Sequence, residues 1–118
     1  MFYELHVSDI APGKRQAAHA LFADSALHYF HKHGIKPMLF CEAEFGGPTD
    51  QIVYLIPWDS LAAYERAWAA FRADPEWAEA NARAHEDGSI FLRTTKSLFR
   101  EVPALMAHLA ASEKVTAP

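Results

Sequence analysis

An α+β fold with the element order βαββαβ is predicted by three features of the sequence. Apolar and polar residues alternate near both ends of the chain, a β-branched and aromatic run lies at its centre, and two long segments free of Gly and Pro separate these regions. At 118 residues the chain is long enough for one domain with a hydrophobic core and too short for two ordinary ones. The sequence therefore predicts one mixed domain.

The first strand and the first helix follow from their periodicity. Residues 2–8 alternate in polarity, which places Glu4 and His6 on the same side of a strand. After a Pro-Gly turn, residues 14–33 contain neither Gly nor Pro and end at Gly34, as a helix does. On a helical wheel the apolar side of this helix contains His19, Phe22, Ala23, Ala26 and Phe30.

The centre of the chain is a strand joined closely to a second helix. Residues 52–56 have the composition of a strand buried on both faces. Pro57 has no N–H to donate to a neighbouring strand, so strand pairing is expected to stop there. Asp59 or Ser60 can cap the following helix. One stripe of that helix contains Leu61, Tyr64, Trp68 and Phe71.

The remaining segments complete the predicted domain. They are a strand over residues 35–45, a short helix over 75–85 and a last strand over 89–100. A terminal helix is expected over residues 103–111, followed by a loose polar tail. We expect residues 1–100 to form the domain and residues 101–118 to form a C-terminal extension.

The order βαββαβ is that of the split βαβ, or ferredoxin-like, sandwich. Both helices are expected to cover one face of a four-stranded antiparallel sheet, leaving the other face apolar and exposed. Two such faces packed around a two-fold axis would form a dimeric α/β barrel. The sequence therefore predicts a homodimer through the open sheet face.

Composition and charge exclude some partners. The formal net charge is −4, and the 11 Lys and Arg residues are scattered, so we expect no nucleic-acid partner. No basic leader and no apolar segment of membrane-spanning length is visible, so we expect no membrane association. The single cysteine, Cys41, is expected to be a buried small hydrophobe and fits a reducing compartment, which favours a cytoplasmic location.

Four segments of the chain resemble the NIPSNAP family of dimeric α/β-barrel proteins. They are FYELHVSDIAPGKR, FHKHGIKP, QIVYLIPWDSLAAYERAWAAFRADPEW and FLRTTKSLFR. The resemblance implies a ferredoxin-like protomer that dimerises through its sheet, a small acyl, aromatic or polyketide-like ligand, and no activity agreed for the whole family. His6 stands where the resemblance implies an Arg after Glu-Leu.

Three residues are candidates for proton transfer. Glu4 and His6 share one strand face, and the last strand lies beside them, offering either Thr94 and Lys96 or Arg93 and Thr95. A carboxylate, an imidazole and a cation together can orient and deprotonate a small carbonyl compound, or they can form a paired structural cluster. His19, on the apolar side of its helix, is either a core histidine with a hydrogen-bond partner or an acid/base in a pocket.

A ligand cavity, if there is one, is expected between the helices and the sheet. Its candidate lining residues are Tyr29, His33, Trp58, Tyr64 and Trp68. The alternative for these aromatic residues is a place in an ordinary core. His28, His31 and His33 lack the spacing of a metal site, and no phosphate-binding loop or nucleophile motif is present, so neither a metal nor an organic cofactor is expected.

Two functions remain open at this point. The chain is a non-catalytic dimer that binds a small ligand or a partner protein, or it is a cofactor-independent enzyme of the monooxygenase, cyclase or isomerase kind that uses His and Glu for proton transfer. A fully packed interior beside Tyr64 and Trp68 would argue against the enzyme.

Overall fold

The computed structural model describes residues 1–116 of the chain, with side chains through residue 113. Four strands form one sheet: β1 (Phe2–Ile10), β2 (Leu39–Glu42), β3 (Asp50–Trp58) and β4 (Phe91–Arg100). The helices are α1 (Arg15–Leu21), α2 (Leu27–Lys32), α3 (Leu61–Ala73), α4 (Pro75–Ala84) and α5 (Pro103–Thr116), and a π-helical turn, Phe22–Ala26, joins α1 to α2.

The sheet has the order β2-β3-β1-β4, and all neighbouring strands are antiparallel. This is the predicted ferredoxin-like arrangement, in which the first and third strands are central. His6 of β1 stands between Tyr54 of β3 and Lys96 of β4. The register therefore fixes which polar side chains lie beside His6.

The core lies between one sheet face and the helices. The sheet contributes side chains that alternate with half-exposed neighbours along β1 and β3, among them Ile52, Tyr54 and Ile56. The helices contribute Phe22, Phe30, Trp68 and Phe71, all of them buried. Glu4, His6 and Ser8 lie on this helix-covered face and are buried as well. Burying three polar side chains in a row on the inner side of a central strand costs free energy unless each side chain is paired. This face of the sheet is therefore a candidate site.

Strand pairing differs from the prediction at Pro57, which lies inside β3 and stands opposite Tyr3 of β1. The expected stop is wrong, because the pairing of β3 with β1 continues through Pro57. On the other side of β3, the pairing with β2 has already ended at Leu39, opposite Leu55. Beyond that point β3 has a strand on one side only, and an edge position tolerates a proline. β2 itself is shorter than the predicted residues 35–45, because the backbone N–H of Ile35 donates to the carbonyl of Phe30 and closes the helix end instead.

The helical wheel places His19 wrongly. The buried positions of this helix include Ala18, Phe22, Ala26 and Phe30, whereas His19 is exposed. A spacing of four residues drifts around a regular α-helix, but the π turn holds more residues per turn and so keeps these four positions in line. The apolar stripe therefore passes through Ala18 and not His19. In α3, likewise, Leu61 of the predicted stripe is exposed, and the buried side chains lie further along the helix.

The C-terminal extension is more helical than predicted. α5 extends to Thr116, so the predicted helix end at residue 111 is too early, while the last two residues of the expected tail lie outside the described residues. Several of the apolar side chains of this extension are exposed: Val102, Leu105, Met106 and Leu109.

The sheet face away from the helices also carries apolar side chains. Val53 and Leu55 of β3 are half-buried there, while Leu39 of β2 and Phe99 of β4 are more than half exposed. Cys41, which was expected to be buried, is exposed in β2. The face is thus a wide surface of mixed but largely apolar character.

Candidate functional site

Glu4 is the polar centre of the helix-covered face and is 1% exposed. Its Oε1 accepts hydrogen bonds from two indole N–H groups, Trp58 Nε1 at 2.9 Å and Trp68 Nε1 at 2.7 Å. Its Oε2 lies 2.6 Å from His6 Nε2 and 3.8 Å from Lys96 Nζ. A buried carboxylate with this many partners is satisfied, and it ties β1 to β3, α3 and β4.

The environment of Glu4 favours its charged form. Burial alone would raise the pKa of this carboxyl, but the hydrogen bonds from His6, Trp68 and Trp58 together outweigh burial and place the pKa below its ordinary value of 4.5. Glu4 is therefore a carboxylate at neutral pH. Since a carboxylate only accepts hydrogen bonds, the hydrogen between Glu4 and His6 belongs to His6 Nε2.

His6 is held in place by its other neighbours too. Its ring, 3% exposed, stacks on Tyr54 with centroids 4.5 Å apart and lies 5.4 Å from the Trp68 ring. His6 Nδ1 is the single buried side-chain nitrogen or oxygen without a hydrogen-bond partner among the described residues. With its Nε2–H directed at Glu4, a neutral His6 ring would present a lone pair at Nδ1.

A cavity of about 310 Å³ lies between the sheet and the helices, and His6 is part of its wall. Half of the lining residues are Phe, Tyr or Trp: Phe22, Phe30, Tyr54, Trp68, Phe71, Trp77 and Phe91. Burial, with a smaller effect from the charge of Glu4, raises the pKa of Tyr54 well above its ordinary value of 10.0. The phenol of Tyr54 therefore stays neutral, and the aromatic part of the wall carries no charge.

The polar part of the wall lies on the side of β4 and α4. Ser8 Oγ and Thr94 Oγ1 are 2.9 Å apart, and Asn81 lines the same side. Lys96, whose side chain is 40% exposed, lies with Nζ 4.4 Å from the centroid of the Trp68 ring. Because Lys96, Thr94 and Asn81 are all partly or fully exposed, the cavity reaches solvent between β4 and α4.

The structure brings two of the three candidate proton-transfer residues together and separates the third. Glu4 and His6 are in contact, and the neighbours from β4 are Thr94 and Lys96, one of the two pairs that the sequence left open. His19 lies elsewhere, half exposed, with Nε2 2.6 Å from Glu42 Oε2 at the β2 edge. It is not part of the cavity wall.

Of the predicted ligand-binding residues, Trp68 lines the cavity and the others lie around it. Trp58 donates its indole N–H to Glu4. The Tyr64 ring packs edge-on against the Trp58 ring, with the two centroids 5.7 Å apart. Tyr29 packs against Trp77 at 6.0 Å. His33 Nε2 lies 2.7 Å from Asp74 Oδ2 and borders, with Trp58, a separate surface groove of about 450 Å³.

Sequence reasoning missed two important parts of the wall. Tyr54 falls within the buried strand predicted over residues 52–56, and its position between Ile52 and Ile56 gives it the same face as those core residues. Trp77 and Asn81 are one turn apart on α4, and both line the cavity. Nothing in the local pattern of α4 indicates that it closes the cavity, because that depends on how the helices pack.

The described residues contain neither a metal-binding cluster nor a membrane-spanning helix. No group of three or more His, Cys, Asp or Glu side chains there is arranged to hold a metal ion. No helix within residues 1–116 is both long enough and apolar enough to cross a membrane.

Solved structures with the same fold include two NIPSNAP proteins. A NIPSNAP family protein with unknown function, Atu4242 from Agrobacterium tumefaciens, is 20% identical with a TM-score of 0.74, covering 86% of this chain and 88% of that one. An uncharacterized NIPSNAP domain protein from Burkholderia xenovorans is 15% identical with a TM-score of 0.75, covering 86% and 95%.

A more distant match is a mutant of SnoaB, a cofactor-independent oxygenase from Streptomyces nogalater. It is 13% identical with a TM-score of 0.53, and the match covers 85% of this chain and 91% of that one. The fold is thus the ferredoxin-like fold found among dimeric α/β-barrel proteins. A comparison with curated proteins gives no match. The NIPSNAP family model matches residues 3–105, which is most of the chain, and this protein therefore belongs to the NIPSNAP family.

Proposed function

We propose that this protein is a homodimer that binds a small aromatic or carbonyl-containing molecule in the cavity between its sheet and its helices. The observation that carries the proposal is the combination of an aromatic cavity of about 310 Å³ with a buried His6 ring whose Nδ1 has no partner among the described residues. A site of this kind, apolar with few oriented polar groups, is typical of small-molecule binding.

The aromatic composition of the wall favours an aromatic ligand. Tyr54 and Trp68 both lie against the His6 ring, and Phe30 packs edge-on against Trp68 with centroids 5.6 Å apart. Aromatic rings prefer offset-stacked or edge-to-face neighbours, so an aromatic ligand gains ring contacts with this wall in addition to the burial of its surface. Burial of its apolar area would supply most of the affinity.

The dimer is supported by the uncovered sheet face. Val53 and Leu55 at the centre of that face are half-buried in the single chain, and Leu39 and Phe99 at its flanks are more exposed. A second copy packed there would bury these side chains in an isologous interface. The cavity lies on the opposite face of the sheet, so the ligand site of each chain would be complete by itself. A cytoplasmic location fits the exposed thiol of Cys41.

The cofactor-independent enzyme has weaker support. The Glu4–His6 pair resembles the carboxylate–imidazole pairs in which a carboxylate orients a catalytic base. SnoaB, the cofactor-independent oxygenase among the matches, is only 13% identical, and likeness at that level supports the fold alone. Binding is therefore the function that we put forward, with His6 and Glu4 as its polar centre.

The proposal is tested by filling the cavity. Ala26 is 2% exposed and lines it, so Ala26→Leu would occupy part of the ligand volume. We expect isothermal titration calorimetry to show binding of 2-naphthol to the wild-type protein and at least about tenfold weaker binding to Ala26→Leu. The matched control is Ala69→Leu on the exposed side of α3, which should bind as the wild type does. Absence of binding to the wild type, or equal binding by Ala26→Leu, would overturn the proposal.

A further inference from the structure

We infer that the cavity selects ligands that carry a hydrogen-bond donor on an aromatic or enolic framework, such as a phenol or an enol, and that His6 Nδ1 accepts this hydrogen. This inference rests on the proposed function and deepens it by naming the chemical class of the ligand. It follows from three features of the site: the direction of the Glu4–His6 hydrogen bond, the burial of Nδ1, and the charge at the cavity mouth.

The direction of the hydrogen bond fixes the role of each ring nitrogen. Glu4 already accepts two indole N–H groups and has a lowered pKa, so it is an anion that only accepts. The 2.6 Å contact therefore uses the Nε2–H of His6. In the neutral ring Nδ1 then has a lone pair and no hydrogen, so a ligand pairs with it by donating.

The burial of Nδ1 makes this pairing selective. A buried acceptor that loses its partner costs free energy, so a site built around one discriminates strongly against ligands that lack the matching group. His6 is 3% exposed, and its ring is fixed by Tyr54 and Glu4, so Nδ1 is unable to turn toward solvent. A ligand with a carbonyl alone offers Nδ1 nothing, whereas a phenolic or enolic O–H does.

The charge at the mouth agrees with a weakly acidic ligand. Lys96 is the one Lys or Arg among the cavity-lining residues that the structure describes, and its Nζ lies over the Trp68 ring and 3.8 Å from Glu4 Oε2. A hydroxyl that shares its hydrogen with Nδ1 gains negative charge, and a nearby ammonium stabilises that charge. No carboxylate is among the described residues that line the cavity.

The test compares two ligands of matched shape, 2-naphthol and 2-methylnaphthalene, on the full chain at about pH 8, where histidine side chains are ordinarily neutral. The measured quantity is the ratio of their two dissociation constants by isothermal titration calorimetry. His6→Phe keeps a ring beside Tyr54 and removes both nitrogens, and we expect it to shift the ratio by about tenfold against 2-naphthol. His31→Phe, at an exposed position of α2, is the matched control and should leave the ratio unchanged.

The outcomes separate this inference from the proposed function. A ratio of dissociation constants that shifts against 2-naphthol in His6→Phe supports the inference. An unchanged ratio in His6→Phe, with both ligands still bound, overturns the inference and leaves the binding function standing. Failure of both ligands to bind the wild type overturns the proposed function and this inference with it.

A measurement on the wild type decides the matter even if His6→Phe does not fold. In the ¹⁵N spectrum of the histidine side chains, Nδ1 of His6 should resonate as a non-protonated nitrogen in the free protein. Addition of 2-naphthol should shift this resonance in the direction of protonation, while 2-methylnaphthalene should not. A protonated Nδ1 in the free protein, or equal shifts with both ligands, would overturn the inference.

Discussion

Among single residues, Glu4 is the one on which the site depends, because it is a buried carboxylate with hydrogen bonds to both of its oxygens. Glu4 receives hydrogen bonds from His6, Trp58 and Trp68, three residues that lie on two strands and a helix. Hydrogen bonds to a buried charge are stronger than neutral ones, and a partner left behind without its charge is costly. Glu4 therefore stabilises the fold and is also part of the candidate site.

We predict that Glu4→Gln lowers the free energy of unfolding by about 2 kcal/mol at neutral pH. The amide keeps the shape of the carboxyl but removes the charge that the two indoles, His6 and Lys96 face. Urea denaturation followed by tryptophan fluorescence measures the difference, and Glu86→Gln, at an exposed position, is the control. Equal stability of Glu4→Gln and the wild type would contradict the account.

The difference in the free energy of unfolding between the wild type and Glu4→Gln is predicted to depend on pH. The folded pKa of Glu4 is below the ordinary 4.5, so the folded state binds the proton more weakly than the unfolded state does. The stability contributed by the charge is therefore fully present above about pH 5 and is lost as pH falls through the lowered pKa. The difference between wild type and Glu4→Gln should narrow over that range. A difference that is constant down to the acid limit of folding would contradict the assignment.

That Glu4 and His6 lie together beside the last strand could be predicted from strand alternation and strand order, whereas the choice of Thr94 and Lys96 over Arg93 and Thr95 required the register of β1 with β4. Alternation puts Glu4 and His6 on one face, and the ferredoxin-like order puts β4 beside β1. The places of Tyr29, His33 and Tyr64 could not be predicted in the same way. They depend on how helices pack on each other, and helical periodicity gives a face without saying what that face meets.

At the scale of elements, Asp74 joins the helical layer. Asp74 is both the C-cap of α3 and the N-cap of α4. As the N-cap, its Oδ1 accepts a hydrogen bond from the backbone N–H of Glu76 at 2.9 Å. Oδ2 accepts from Lys32 Nζ at 2.9 Å and lies 2.7 Å from His33 Nε2, which attaches the end of α2. The hydrogen bonds from Lys32 and His33 hold the pKa of Asp74 well below its ordinary value of 3.8.

We predict that Asp74→Ala lowers the midpoint of thermal unfolding by about 4 °C, as the loss of a helix cap does in a domain of this size. Differential scanning calorimetry measures the change, and Asp59→Ala is the control, because Asp59 is exposed and the cap of α3 is its neighbour Ser60. Because the Asp74 carboxylate stays charged until well below pH 3.8, the effect should persist at pH 5. An unchanged midpoint would show that the three helix ends are held together by apolar packing alone.

The elements that the sequence predicted least well show where local patterns fail. The π turn at Phe22–Ala26 changes the helical repeat, so a wheel of fixed period puts His19 on the wrong side. Pro57 has no N–H to donate, which argues against strand pairing at this position. Because β2 is too short to reach Pro57, the missing N–H costs no hydrogen bond to β2. Each correction comes from a neighbour in space that the sequence pattern does not name.

At the scale of the whole molecule, the open sheet face is the feature that the single chain leaves unexplained. We predict that the wild type sediments as a dimer at about 10 µM and that Val53→Glu, which puts a charge at the centre of this face, sediments as a monomer. Ala69→Glu on the exposed side of α3 should remain a dimer. A monomeric wild type, or a dimeric Val53→Glu, would contradict the proposed interface.

A crystal structure of the protein grown with 2-naphthol would show whether the cavity around His6 is the ligand site. We expect electron density for the bicyclic ring among Tyr54, Trp68 and Phe30, with its hydroxyl within hydrogen-bond distance of His6 Nδ1. Density for the ligand in the groove between His33 and Trp58, with the cavity around His6 filled by protein side chains, would contradict it.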